Sequence, residues 1–182
     1  MKTISSLTLL ILILANSTSC TMAILKRPNP RFDIVKQVSS LPEKIFIKEF
    51  NAGNKEIEKM LNGSTVWCRA SSIHTPKDKT VGQYIIDTIN ADLKAAEKYD
   101  ENGISVTLTV HEIDSNSNKG FWVTDFEYTV QQIKYRFKKV YEFEASFGGY
   151  AACNAVIDHL PEAISANALE FYQVFKTSLK NR

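Results

Sequence analysis

Three histidines, His74, His111 and His159, and three cysteines, Cys20, Cys68 and Cys153, are the residues of this 182-residue chain best suited to metal binding or nucleophilic chemistry. Such chemistry needs them to converge. His74 falls in the segment Ile73 to Thr80, His111 on the polar side of a strand pattern, and His159 one step off a helical apolar stripe. No two share an element at metal-ligand spacing and no Cys-x-x-Cys occurs, so no metal site is expected. Gly-x-Ser-x-Gly, phosphate-loop and dinucleotide fingerprints are missing from the sequence. Gly148-Gly149 reads as the break between a strand and a helix.

Carboxylates remain. Asp125, Glu127, Glu142 and Glu144 lie on the polar sides of two strand patterns. Paired carboxylates become acid and base only where unequal burial drives their pKa values apart. A solvated sheet face does not supply that burial. These residues are therefore read as a partner surface or as a plain solvated face. Trp67 falls on the side of its strand opposite Cys68. It is either an exposed binding anchor or covered by the amino-terminal segment. The expectation is a non-enzymatic protein that uses no cofactor; the alternative is an enzyme whose site has no recognisable motif.

The first thirty residues speak about location. Lys2 precedes the apolar run Ser6 to Ala15. Ten residues are too few to span a bilayer, which takes roughly 20. A charged start, a short apolar core and small polar residues describe a secretory signal over residues 1–19. Ser17-Thr18-Ser19-Cys20 resembles the lipobox of bacterial lipoproteins, in which the cysteine is acylated and becomes the new amino terminus. Ser17 stands where that motif prefers an aliphatic residue. The resemblance implies a membrane anchor on Cys20, and Thr21 after it implies the outer membrane. The alternative is ordinary cleavage after Ser19 or Ala23 and a soluble exported module. Residues 20–43, with Pro28, Pro30 and Pro42 and the basic Lys26, Arg27 and Arg31, read as a tether, either a plain linker or a basic strip on anionic headgroups.

With Cys20 acylated, Cys68 and Cys153 are left as an even pair in an oxidising compartment, which favours a disulfide. The other reading is two buried thiols. The formal net charge of +2 offers no strongly basic face for nucleic acid.

Residues 44–182 are long enough for one domain. Lys44 to Phe50 and Thr65 to Ser72 read as strands, with a short helix from Gly53 to Asn62 between them. Thr80 and Gln83 form a capping box before a helix whose stripe is Val81, Ile85, Ile89, Leu93 and Ala96, stopped near Gly103. Three alternating strands follow: Ile104 to Ile113, Trp122 to Gln131 and Tyr135 to Phe147. Asp114 to Gly120 is a hairpin loop, and Lys139-Val140 interrupts the last alternation, as a bulge would. A long final helix carries Cys153, Ile157, Leu160, Ile164, Ala168, Phe171, Phe175 and Leu179 on one stripe, with Pro161 expected to kink or break it. The order ββαβββα predicts an α+β two-layer sandwich: a mostly antiparallel sheet of about five strands with two helices on one face.

Trp67-Cys68-Arg69-Ala70, Asp92-Leu93-Lys94, Val106-Thr107-Leu108-Thr109, Tyr141-Glu142-Phe143-Glu144 and Ala152-Cys153 together resemble a group of small bacterial envelope lipoproteins. That resemblance implies a structural bridge between the two cysteines, a protein partner in the envelope, and no catalytic residues to carry over. The element order is also similar to lipoproteins that assist outer-membrane machines, a likeness of fold that does not transfer function.

Overall fold

The computed structural model describes residues 23–26, 28–68, 71–76, 79–147 and 149–180, without the side chains of 23, 67, 68, 71, 149 and 150. The elements run β1 (Ala23–Ile24), α1 (Phe32–Val38), β2 (Ile45–Ala52), α2 (Lys55–Asn62), β3 (Thr65–Cys68), β4 (Ser71–His74), α3 (Val81–Ala95), β5 (Ile104–Asn116), β6 (Phe121–Val130), β7 (Ile133–Glu142) and α4 (Gly149–Lys180). The class is α+β, as expected, but the counts differ. A four-stranded sheet has the order β2-β5-β6-β7, and a smaller sheet the order β1-β4-β3. In the larger one β2 and β5 are parallel and the two later pairs antiparallel. The segment read as a single strand from Thr65 to Ser72 is an antiparallel pair, with His74 closing its second member. Arg69-Ala70 between them is not a recognisable turn sequence.

Alternation places Val106, Leu108, Val110, Trp122, Phe126 and Tyr128 on one face of the large sheet, where all six are fully buried. Helices α3 and α4 pack on that face, α3 against β2 and α4 against β6 and β7. All five members of the expected α3 stripe are buried. Thr80 accepts the Gln83 backbone N–H at 3.1 Å, but the Gln83 side chain turns to Asp87 instead of closing the capping box. The helix stops at Ala95, earlier than the glycine suggested: Glu97 takes a left-handed φ of 57°.

One expectation for the carboxyl-terminal half is corrected and one is narrowed. Strand β7 carries no bulge, since every residue from Ile133 to Glu142 has a partner on β6 in continuous register. Lys139 occupies an inward position and ion-pairs with Glu170 of α4. Pro161 does not break α4. Proline in a helix interior costs about 3 kcal/mol. Ile157, Leu160, Ala163 and Ile164 are buried on either side of it, and each large apolar side chain so buried contributes roughly 1.5–3 kcal/mol.

The expected tether is also corrected, because its described residues from Ala23 on are part of the folded unit. Ala23–Ile24 pairs in parallel with Ile73–His74. Leu25, Ile34, Val38 and Leu41 are buried. Helix α1 packs on α3 and α4, and the Tyr84 hydroxyl donates to the Lys26 carbonyl at 3.1 Å. Four apolar side chains outweigh the prolines that suggested an unfolded linker.

Candidate interaction surface

The other face of the large sheet is open and polar. Here β5 and β6 slip register between Val110 and Glu112, so His111 is the extra residue of a β-bulge. Gly53 lies against it: a Cβ at Gly53 would come within 2.5 Å of His111 Nδ1. The Nε2 of His111 is buried without a hydrogen-bond partner among the described residues.

Next to the bulge, Arg136 grips Asp125 through two parallel bonds, Nε to Oδ1 at 2.9 Å and the terminal nitrogen to Oδ2 at 2.8 Å. That guanidinium holds the Asp125 carboxyl below its usual range, although burial acts in the opposite direction. Lys138 pairs with Glu112 at 2.6 Å, and Lys134 with Glu127 at 2.9 Å. The acids on β5 and β6 thus face a cationic row on β7, an edge strand. Charged residues on an edge oppose pairing with another chain.

This arrangement decides the fate of the carboxylates singled out from sequence. Asp125 and Glu127 do share the open face, and both are neutralised by β7. Glu142 and Glu144 are exposed, one at the end of β7 and the other beyond it. The four do not form an acidic patch. The open face is a mixed-charge ladder of matched pairs.

A polar seam that sequence reading missed joins the amino-terminal segment to α4. The Tyr141 hydroxyl donates to Glu162 Oε2 at 2.5 Å, and His159 Nδ1 meets the same oxygen at 2.6 Å. The His159 ring stacks on Phe143 with centroids 5.0 Å apart. Burial pushes the Glu162 carboxyl up, but the Tyr141 and His159 bonds and the Arg31 charge bring it below its ordinary value. Behind the seam lies Asp92, only 1% exposed. It accepts Ser165 Oγ at 2.6 Å and the Arg31 backbone N–H at 3.3 Å. Burial raises its pKa, and those two bonds only partly offset the effect. The i,i+3 spacing of His159 and Glu162 is a usable signal; their link to Tyr141 and Arg31 is purely tertiary.

Grooves on the surface include two with apolar walls. One of about 860 Å³ runs between α3 and the outer edge of β2, with Phe46, Ile86, Lys48, Lys94 and Tyr99 among its walls. There the Lys94 ammonium stands 4.3 Å above the Tyr99 ring. The second, about 700 Å³, lies between α2 and the end of β5, floored by Ile57, Met60, Ile113 and Trp122.

Cys153 is disulfide-bonded and buried near the start of α4. Cys68 ends β3, which contacts α4, but its side chain lies outside the described ones, as does that of Trp67. Cys20 lies outside the described residues altogether, and so does the signal. Among the described residues no group of three or more His, Cys, Asp or Glu is placed to hold a metal ion. No helix among them is long and apolar enough to cross a membrane.

These features define an α+β protein with a packed helix layer and an open, charge-paired sheet face. No family model and no curated protein matches the chain. A solved structure described as "Crystal structure of uncharacterized protein" is similar, with a TM-score of 0.48 and 7% identity over 85% of this chain and 99% of that one. At that level the likeness assigns neither family nor function.

Proposed function

We propose that this is an exported, non-enzymatic protein of the bacterial cell envelope, anchored by lipid on Cys20 and facing the periplasm from the outer membrane. In this reading a disulfide-stapled domain is presented to a protein partner. The observation that carries the proposal is the disulfide at Cys153, in a chain whose first residues read as an export signal. Disulfides persist in oxidising compartments and are rare in the cytosol. Cys68 is the natural partner, since its strand touches the helix that bears Cys153.

The pairing of β1 bears on where the signal is cut. Ala23 is opposite Ile73, and the Leu25 N–H donates to the His74 carbonyl at 2.8 Å. Cleavage before Cys20 keeps this strand intact. Cleavage after Ala23 removes half of it, which argues against that alternative, while a soluble module cut after Ser19 remains compatible with the fold. Helices on one face and an open sheet on the other make a two-layer sandwich, and the open face is the surface offered to a partner.

The test is fractionation of the native host expressing the chain or its Cys20→Ala variant, with radiolabelled palmitate. The proposal expects label and membrane association for the parent and neither for the variant. Recovery of the parent in the cytosolic fraction overturns it.

A further inference from the structure

We infer that the domain lies on the bilayer by the outer surface of its helix layer, so that the open sheet face points away from the lipid. This inference rests on the acylation of Cys20 proposed above, and adds to it which face meets the membrane.

The first argument is chain length. Only Thr21 and Met22 separate Cys20 from Ala23, the first residue of β1. Three residue steps span at most about 11 Å. An acylated Cys20 at the headgroups therefore holds β1 within that reach of the lipid, and a domain so tethered cannot turn its far side to the membrane.

The second argument is the path of the chain beyond β1. The Lys26 carbonyl is bonded to Tyr84 near the start of α3, and the Arg31 N–H to Asp92 near its end. Lys26 also pairs with Asp158 of α4 at 2.8 Å. The strand-to-α1 segment thus runs along the α3–α4 seam, and α1 then packs on the same two helices. The segment turns Leu25, Ile34 and Val38 inward. It leaves outward Ile24, 63% exposed, and Phe32, 85% exposed, the most exposed large apolar side chain of the described residues.

The third argument is charge. Lys36 is exposed on the outward side of α1 and makes no ion pair among the described residues. A basic side chain near an anionic surface contributes about 1 kcal/mol. Exposed apolar groups with an unmatched cation, held close to an acyl anchor, fit a headgroup layer. On the opposite face Lys134, Arg136 and Lys138 are already paired within the protein, as Lys26 is on the helix side.

The test uses the full acylated chain in vesicles of phosphatidylethanolamine and phosphatidylglycerol. Tryptophan is introduced at two exposed sites: Phe32→Trp on the helix side and Val140→Trp, 53% exposed in the parent, on the sheet side. Emission is read as the difference from the unsubstituted chain, with brominated lipid as membrane quencher and acrylamide as aqueous quencher. The inference predicts a blue shift and loss of intensity with brominated lipid for Phe32→Trp alone, and acrylamide quenching for Val140→Trp. Vesicle-bound protein in which Phe32→Trp answers only to acrylamide, or Val140→Trp to brominated lipid, overturns the orientation and leaves the anchor standing. Protein that fails to float with the vesicles overturns both.

Discussion

Asn90 acts as a strand partner for Ile47. Its Oδ1 accepts the Ile47 N–H at 2.9 Å, and its amide nitrogen donates to the Ile47 carbonyl at 3.0 Å. One side chain of α3 thereby satisfies the outer edge of β2, where an unpaired backbone would invite another chain. Replacement by leucine keeps the volume and removes both bonds. The expected loss is about 2–3 kcal/mol, from two bonds and two stranded buried groups. It would appear as a lower urea midpoint at unchanged slope, with a concentration-dependent tendency to associate by size exclusion. An unaltered midpoint would show that the bonds contribute nothing.

Asn167 of α4 ties β6 to β7 on the same face of the sheet. It is fully buried. It accepts the Tyr128 hydroxyl at 3.0 Å and donates to Thr124 Oγ1 at 3.1 Å and to the Phe137 carbonyl at 2.9 Å. Asn167→Ala should cost about 3 kcal/mol, because three buried groups lose their partner. Tyr128→Phe removes only one of these bonds and should cost about 1 kcal/mol. Chemical denaturation of the two variants checks the ranking, which equal losses would contradict.

Glu97 and Gln132 occupy backbone conformations that favour glycine. The Lys98 N–H bonds to the Leu93 carbonyl and the Glu97 N–H to that of Lys94, so the end of α3 is a Schellman motif with glutamate at its left-handed position. Gln131 and Gln132 have φ of 48° and 73° at the two-residue β6–β7 turn, a geometry usually filled by Asn-Gly. Relief of left-handed strain is worth roughly 1–2 kcal/mol. Glu97→Gly and Gln132→Gly should each raise the melting temperature, additively, since the sites are independent. A fall in both would contradict the assigned backbone geometry.

Asp92 and Glu162 should move stability with pH in opposite senses. Burial raises the Asp92 pKa in the fold. Its charged form is therefore disfavoured, and the penalty is absent at low pH and complete above its folded pKa. Asp92→Asn should be more stable than the parent at pH 7, with the gain shrinking as pH falls from the raised folded pKa towards the ordinary carboxylate value and gone below it. For Glu162 burial is outweighed and the folded pKa is lowered. Its stabilisation is full above the unfolded carboxylate value and is lost as pH falls through the folded one, so Glu162→Gln should be the less stable chain at pH 7. Urea midpoints of both variants from pH 3 to pH 7 provide the check, and differences that stay flat with pH would contradict it.

What the sequence made legible was what local periodicity can carry. The α3 and α4 stripes and the inward residues of β5 and β6 were readable because neighbours on one face recur every three to four or every two positions. The missed features have partners far away in the chain. Lys139 looked like a break in β7 because Glu170, which lets it point inward, is 31 residues distant. Ile34, Val38 and Leu41 carry a helical spacing, but Pro28 and Pro30 beside them read as linker. The edge role of Asn90 has no sequence signal, since it depends on β2 lying beside α3. Among the site residues, Asp125 and Glu127 were placed on the correct face, while the cations that neutralise them were visible only once β7 was paired to β6.

The central claim is export, acylation and a disulfide staple in one mature chain. Its most direct test is the intact mass of the protein purified from native membranes, with and without reductant. The account predicts a chain from Cys20 to Arg182 carrying diacylglyceryl and acyl groups, heavier by about two hydrogens after reduction. An unmodified chain beginning at Cys20 or Ile24, or a mass that reduction leaves unchanged, would contradict it.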